Sequence, residues 1–355
     1  MPTRLKSLLF FFVVATLAIV SIGQSLPGRN SWQLMTEQVT LDGAQAPEFS
    51  KSFIFKQGTV ASVHASAIVS ATNNELLAVW YGGSREGSGD VAIYVSRKGT
   101  DSAWSTPEVL IGRAKLAQDT GRHIKKLGNP VLLSDGRKTV WMFFVSTSIG
   151  GWSTSAVNVV ISHDAGQTWG RAKRLITSPF LNLSTLVKGR PFFYQDGSIG
   201  LPAYHELAGK FAELLRVSQE GVVLDKVRIT HGRYTIQPSI VTLSKDLLIT
   251  MMRNTNTVRN IVRSYGAQGG KVWSEAVYTE LPNPDAAVSI AGDKDLLVIV
   301  YNDLKNDRNQ LALAVSTDKG LSWQKRFQLE SSGPDEDGVK SEFSYPYLYR
   351  SINGE

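Results

Sequence analysis

The chain has 355 residues, of which 42% are apolar and 19% charged, so it can bury a sizeable core and is neither disordered nor fibrous. It contains no cysteine, which excludes disulfides, thiolate metal sites and a cysteine nucleophile. The 38 Lys and Arg residues exceed the 31 Asp and Glu residues and give a net charge of +7. This charge favours an anionic partner such as an acidic glycan, a nucleic acid or a membrane surface.

The first residues of the chain have the features of an export signal. Arg4 and Lys6 precede an apolar run that extends from residue 8 to residue 23, and polar Gln24 follows it. Small residues at positions 21 and 23 predict cleavage before Gln24, so residues 1–23 form a signal peptide. An uncleaved membrane anchor is the alternative, although the run is shorter than the roughly 20 residues that span a bilayer. Both alternatives export the rest of the chain, to the periplasm or as a secreted protein, where no nucleic-acid partner is expected.

Two segments of the exported part repeat the pattern Ser-x-Asp-x-Gly-x-Thr/Ser-Trp, at residues 162–169 and 316–323. An Asp in this pattern accepts hydrogen bonds from turn amides, the Gly takes a positive φ, and the Trp packs beneath the loop. A structural role, and not a catalytic one, is therefore predicted for six residues: Asp164, Gly166, Trp169, Asp318, Gly320 and Trp323.

Degenerate copies of the pattern end at Trp104, Gly221 and Trp273, which places an anchor about every fifty residues if residues 112–128 form an inserted loop. Short apolar runs predict strands between the anchors, as at residues 76–81, 140–146 and 247–252. A period of this length with several strands per unit is typical of a β-propeller, whereas a β-sandwich rarely repeats so regularly. We therefore predict an all-β, six-bladed propeller over residues 24–355, with a last blade that is incomplete near the C-terminus.

The sequence resembles the Asp-box sialidase superfamily, and more closely its bacterial predicted-neuraminidase branch of BNR-repeat proteins. Besides the two repeat segments, eight stretches carry the resemblance: residues 63–69, 77–90, 189–191, 201–206, 237–239, 252–253, 308–311 and 344–345. The resemblance implies a sialidase-like propeller and an exo-α-sialidase (neuraminidase) type of glycoside hydrolase that acts on sialic acid or a related acidic sugar.

The resemblance also implies roles for individual residues. Sialidases of this type use a tyrosine nucleophile, since a carboxylate would meet the like charge of the sugar carboxylate, together with an aspartic acid/base and three clamping arginines. Tyr345 falls where the nucleophile is expected, Asp90 in the acid/base loop, and Arg253 and Arg308 at two clamp positions. Arg85 fits a further arginine near the acid.

The chain departs from the family pattern at two positions. His64 stands in place of the first clamp arginine, and Gln237 stands in place of the glutamate that takes the phenol proton. An amide cannot act as a base, but Glu206 supplies a carboxylate if it points inward. His205 and Arg190, from two of the stretches named above, complete the predicted substrate-binding set.

No metal or cofactor is expected, because the five histidines are scattered and neither a His-Glu-x-x-His motif nor a phosphate-binding loop is present. Two other functions stay open. The site could cleave another anionic polysaccharide by hydrolysis, or by elimination with His64, His205 or Tyr345 as the base. Alternatively, the propeller could bind glycan or a protein without catalysis, since Gln237 removes the base.

Overall fold

The computed structural model describes residues 32–36, 49–56, 58–72, 75–100, 102–178, 182–232, 234–334, 338 and 340–350. Five antiparallel sheets follow one another along this part of the chain, each from a consecutive stretch of sequence. The all-β propeller prediction is confirmed. The predicted signal or anchor at residues 1–23 lies outside the described residues.

The first sheet contains β1 (Ser62–Thr72), β2 (Glu75–Gly83), β3 (Ala92–Gly99) and β4 (Glu108–Ile111). The second contains β5 (Lys126–Ser134), β6 (Val140–Thr147), β7 (Ala156–Ser162) and β8 (Lys173–Arg174). The third contains β9 (Leu186–Val187), β10 (Phe192–Phe193), β11 (Ile199–His205), β12 (Phe211–Val217) and β13 (Val223–Arg228). The fourth contains β14 (Thr235–Thr242), β15 (Leu248–Asn254), β16 (Asn260–Ala267), β17 (Val272–Trp273) and β18 (Val277–Pro282). The fifth contains β19 (Ser289–Gly292), β20 (Leu297–Tyr301), β21 (Gln310–Ser316) and β22 (Gln324–Ser331).

Neighbouring sheets pack face to face through apolar residues. One buried cluster joins the first sheet to the second, and others join the second to the third, the third to the fourth and the fourth to the fifth. The middle strands are apolar on both faces because each face meets a different neighbour, which explains the unbroken burial of β6. The opening strands of the sheets surround the axis. Among them β1 contacts β5, and β14 contacts β19.

The number of blades is five, and the prediction of six is wrong. Residues 344–350, whose sequence predicts a strand, belong to an extended segment without a regular ladder, residues 340–350, which we call the axial segment. Its backbone contacts the fifth sheet, where the Leu348 amide donates to Ser289 Oγ at 2.8 Å. Its tyrosines also pack on the cluster between the first and second sheets. The axial segment thus joins the fifth sheet to the first in place of a sixth blade.

A second segment, residues 49–56, connects the same two sheets on the outside. Lys51 forms an ion pair with Glu330 of β22 at 2.5 Å, and the Phe49 ring lies 5.0 Å from the Phe327 ring. At its other end Phe55 stacks on Trp80 of β2, with ring centroids 5.1 Å apart. We call residues 49–56 the outer segment.

The two complete repeat patterns lie at the end of the third strand in the second and fifth sheets. Asp164 accepts hydrogen bonds from Ser162 Oγ and the Thr168 amide, at 2.7 and 2.8 Å. Asp318 makes the equivalent contacts with Ser316 and Ser322. The glycines of both turns, with φ of 81° and 82°, take the left-handed conformation.

The degenerate copies keep part of this geometry. Ser96 Oγ donates to the Ser105 carbonyl at 2.7 Å, and Ser264 Oγ donates to the Ser274 carbonyl at 2.8 Å. A first serine and a closing residue ten or so positions later therefore suffice to close the turn between third and fourth strands.

The inserted loop predicted at residues 112–128 contains one short helix, α1 (Arg113–Thr120). It ends at Gly121, which has a φ of 66° and whose amide donates a hydrogen bond to the Ala117 carbonyl, so that the residue forms a left-handed cap. Asp119 anchors the helix to the second sheet by accepting from the Ala172 amide at 3.0 Å. None of the helices in the described residues is long and apolar enough to cross a membrane.

Candidate functional site

The opening strands carry residues in the left-handed conformation near one end of the propeller axis. Ala65, Asn129 and Gln237 have φ between 46° and 53°, and the ladder register shifts at each of them. Asp285, just before β19, and Tyr345 of the axial segment also have positive φ, at 61° and 58°. Such bulges interrupt the ladder and re-aim the side chains beside it, and they are common next to active sites.

Two arginines meet at this end of the axis through Asp285. Arg253 Nε donates to the Asp285 carboxylate at 2.7 Å, and Arg308 Nη2 donates to the Asp285 carbonyl at 2.5 Å. Arg308 Nη1 also pairs with Glu342 at 2.8 Å. Arg253 is 14% exposed and Arg308 26%, so both guanidinium groups are fixed in place but still reach solvent. The structure brings the two predicted clamp residues together.

Gln237 lies beneath Arg253 and is 3% exposed. Its Oε1 accepts from Arg253 Nη1 at 3.2 Å, while its Nε2 donates to the Tyr204 hydroxyl at 3.4 Å. Asn129 Nδ2 donates to the same hydroxyl at 3.2 Å. Burial and the nearby Glu206 carboxylate raise the pKa of Tyr204, so this phenol stays neutral. Gln237 therefore links Arg253 to a buried tyrosine of the third sheet.

Tyr345 lies among these residues. It is close enough to Arg253, Tyr204 and Tyr81 for electrostatic interaction with each. It also lines, with His64 and Glu342, a groove of about 780 Å³ that continues to the aromatic residues of the outer segment. The predicted nucleophile thus lies within electrostatic range of Arg253 and opens to a cavity large enough for a sugar.

His64 lies at the edge of the cluster. Its ring stacks on Tyr81 at 5.5 Å between centroids, and its Nε2 lies 3.1 Å from Ser62 Oγ. Tyr81 donates in turn to Glu86 at 3.2 Å, and burial together with this carboxylate raises the pKa of Tyr81. His64 thus lines the groove within electrostatic range of Glu342.

Asp90 and Arg85 belong to the exposed loop between β2 and β3. Asp90 accepts from the Ser84 amide at 2.8 Å, from Ser84 Oγ at 3.0 Å and from Ser88 Oγ. These hydrogen bonds, that from Ser88 first, lower the pKa of Asp90 to about 2. In this conformation the carboxyl group is ionised at neutral pH, so protonation of a leaving group requires the loop to rearrange when substrate binds.

Glu206 follows β11 and is partly buried. Burial raises the pKa of its carboxyl group, against the opposing influence of Lys210 and Arg253. His205 precedes it, stacks on Phe211 at 4.7 Å, and accepts from the Ala208 amide at 3.1 Å. Glu206 therefore belongs with Arg253 and Tyr204, whereas His205 interacts with other residues of the third sheet and with the Ser184 backbone before it.

Arg190 lies away from this cluster. Its guanidinium covers the Tyr349 ring at 4.8 Å, four residues beyond Tyr345 along the axial segment. It also lines a small cavity with Leu133, Val241 and Ile290, which lie near the far ends of their strands. The predicted substrate-binding residues are thus divided between the two ends of the axis.

Sequence reasoning did not identify Asn129, Tyr204, Asp285 and Lys188. Two of them adjoin stretches that carry the resemblance, because Tyr204 lies inside 201–206 and Lys188 directly precedes 189–191. Asp285 follows Asn283-Pro284, a turn signal whose position at the axis only the fold reveals.

The cluster suits an anionic ligand. Arg253 and Arg308 present guanidinium groups that match a carboxylate, and Tyr345 offers an oxygen beside them. No group of three or more His, Asp or Glu side chains in the described part of the chain could hold a metal ion. The arrangement can therefore fix a carboxylate and place a phenol next to it.

Comparisons with known proteins agree with the fold. Solved structures similar to this chain include the Hadza microbial sialidase Hz136, at TM-score 0.63 and 17% identity over 80% of this chain and 60% of that one. The intramolecular trans-sialidase from Ruminococcus gnavus in complex with oseltamivir carboxylate gives 0.65 and 13% identity over 85% and 91%. The leech intramolecular trans-sialidase complexed with 2,7-anhydro-Neu5Ac gives 0.64 and 12% identity over 86% and 66%.

The chain thus spans less than two thirds of the length of Hz136 and of the leech enzyme. No curated protein sequence matches it significantly. The model of the BNR repeat-like domain family matches residues 74–355, which is most of the chain. This match shows that the chain belongs to the BNR repeat-like domain family.

Proposed function

We propose that the protein is an exported sialidase-like glycoside hydrolase of the exo-α-sialidase type, which acts on sialic acid or a related acidic sugar. The observation that carries the proposal is the convergence of Arg253, Arg308 and Tyr345 at one end of the axis, with the arginines joined through Asp285. The leech structure, prepared by soaking with 3′-sialyllactose, supports a sialylated glycan as the ligand.

In the proposed reaction the sugar carboxylate binds Arg253 and Arg308, and the Tyr345 oxygen attacks the anomeric carbon. The phenol proton passes to Glu206, whose raised pKa makes it a stronger base than an exposed glutamate. Asp90 takes up a proton once its loop rearranges and the hydrogen bonds from Ser84 and Ser88 are lost, and it donates this proton to the leaving oxygen as the glycosidic bond breaks. It then takes a proton from the water that releases the sugar from Tyr345.

The test is hydrolysis of a fluorogenic α-sialoside by the purified full chain, beside the variants Tyr345→Phe and Tyr349→Phe. We expect turnover that falls by at least about a thousandfold in Tyr345→Phe, because the nucleophile is lost. Tyr349→Phe removes a hydroxyl from the same segment near the other end of the axis and should keep activity within a few fold. A folded protein without turnover, or a Tyr345→Phe variant as active as the parent, would refute the proposal.

Gln237 favours a second candidate, a propeller that binds acidic glycan without cleaving it. Both ends of the amide are used in contacts with Arg253 and Tyr204, so the position normally held by a base has become part of the binding framework. Binding of a sialylated oligosaccharide by calorimetry without product formation would support this candidate. Release of an unsaturated product absorbing in the ultraviolet would instead indicate elimination on another anionic polysaccharide.

Export is part of the proposal and rests on the sequence of residues 1–23. The mature chain is either free, beginning at Gln24, or held at the membrane by an uncleaved segment. Mass spectrometry of the N-terminal peptide, isolated from the producing cells, distinguishes the two forms.

A further inference from the structure

Lys188 is buried at the axis beneath the segment that carries Tyr345. It follows β9 at the break between the two short strands β9 and β10, and only 4% of its surface is exposed. Its Nζ donates to the Pro346 carbonyl at 3.2 Å. The same amine lies 6.0 Å from the centre of the Tyr345 ring and 5.2 Å from that of Tyr347. The axial segment therefore covers this lysine with two rings and one carbonyl.

A lysine this buried normally has an acidic partner. Among the described residues no carboxylate pairs with the Lys188 amine. The charged groups around the axial segment are Arg190, which lies over the Tyr349 ring, and Glu342, which pairs with Arg308 and interacts electrostatically with His64. Burial without a counter-ion disfavours the ammonium form, and it lowers the pKa of Lys188 to about 7.

Tyr345 needs to be held in place. Its φ of 58° is unfavourable for a bulky side chain, and the next residue is a proline, which further restricts its backbone. Lys188 binds the carbonyl of that proline, so the contact acts on the backbone directly after the strained residue.

We propose that Lys188 is a positioning residue for Tyr345, whose uncharged amine docks the axial segment on the third sheet and whose protonation releases it. The importance of Tyr345 for catalysis rests on the proposed function, but the docking itself does not. Opening the segment hydrates the amine, and a hydrated amine binds a proton far more readily. As the pH falls from 10.5, the ordinary lysine pKa, to about 7, each pH unit therefore favours the open segment by about tenfold, and the effect levels off below about pH 7.

Hydrogen exchange of the full chain, corrected for the intrinsic pH dependence of exchange, tests this directly. Two amides of the segment report docking, since Phe343 N–H donates to the Arg308 carbonyl at 2.9 Å and Leu348 N–H to Ser289 Oγ at 2.8 Å. Between pH 8 and pH 6 we expect protection of the peptide 340–350 to fall about tenfold. Peptides from β6 and β15 should keep their protection.

Lys188→Met and Lys188→Gln remove the titrating group at similar volume, so the loss of protection at pH 6 should disappear in both. Lys294→Met removes an exposed lysine and should behave as the parent. The proposal is wrong if the parent peptide shows no pH dependence, if the Lys188 variants keep it, or if all peptides lose protection equally.

A second measurement separates this inference from the proposed function. If the chain hydrolyses a sialoside, the parent kcat should rise with pH through about 7, and Lys188→Met should lose this limb while KM changes less than about twofold. If the chain has no such activity, the proposed function fails, while the exchange experiment still decides the role of Lys188.

Discussion

A glutamate can replace Gln237 without rearrangement of the neighbouring residues. In Gln237→Glu one oxygen would still accept from Arg253, and the other would accept from the Tyr204 hydroxyl, which can turn to donate. Since a positioned base contributes about a hundredfold or more to a rate, we expect kcat for an α-sialoside to rise by about that factor. The measurement is steady-state kinetics of Gln237→Glu, with Gln237→Glu/Tyr345→Phe as the control. Equal rates for Gln237→Glu and the parent would contradict a catalytic position for residue 237.

Several individual residues of the site could be predicted from the sequence because they lie in recognisable stretches. Arg253, Arg308 and Tyr345 come from three distant stretches, and the fold brings them together. Asp285 could not be predicted, because its role depends on a backbone carbonyl and a positive φ that no residue type encodes. Lys188 could not be predicted either, since its burial depends on a segment more than 150 residues away in the sequence.

The repeated turns pack on the neighbouring sheet, and substitution of a turn glycine tests how much this packing contributes to stability. In Gly320→Ala the new Cβ would lie 2.5 Å from Ile249 Cδ1 in the fourth sheet, at a φ of 82°. We expect about 2–4 kcal/mol of destabilisation from strain and crowding together. Gly209→Ala, at a φ of 92° with nothing within 4 Å, should lose only about 1–2 kcal/mol. Equilibrium urea unfolding measures both, and equal losses would show that packing of this turn on the next sheet is unimportant.

At the scale of elements the sequence predicted strands and turns well. The apolar runs at residues 76–81 and 140–146 fall inside β2 and β6, because a strand buried on both faces is marked by its local sequence. Helix α1 was missed since its eight residues are mostly polar and lack a capping side chain, so neither periodicity nor a cap marks it. The axial segment was predicted as a strand on its aromatic pattern, but its backbone bonds go to scattered partners instead of a neighbouring strand.

For the whole molecule, the contact between the fifth and first sheets depends on two single segments. Phe55 of the outer segment stacks on Trp80, which lies parallel to Tyr94 at 6.1 Å, so Phe55→Ala should uncover this face of the first sheet. We expect faster hydrogen exchange in β2 and β3, by roughly tenfold, with β14 to β16 unchanged. Phe53→Ala, at a side chain already 74% exposed, is the matched control. Uniformly faster exchange would indicate that the outer segment supports the whole fold.

The blade count could not be predicted correctly from the repeat alone. The five anchors correspond to the five sheets, and the sixth unit was inferred as a closing blade that no anchor marks. A repeat pattern shows how many repeat units the sequence contains. Closure of the propeller depends on which sheet faces pack against other parts of the chain. Here Tyr345 and Tyr347 pack against existing sheets, so the aromatic residues at the C-terminal end complete an interior and form no further sheet.

Four apolar interfaces between five sheets have a consequence for how the molecule unfolds. A closed ring has no terminal unit, but this arrangement has two, the first and the fifth sheets, each with one face that no neighbouring sheet covers among the described residues. Its energetics are then those of a linear array, in which each unit is stabilised by its own hairpins and by its nearest neighbours. Fraying should begin at the two terminal sheets and proceed inward, and the third sheet, which carries Lys188 and Tyr204, should be the last to unfold.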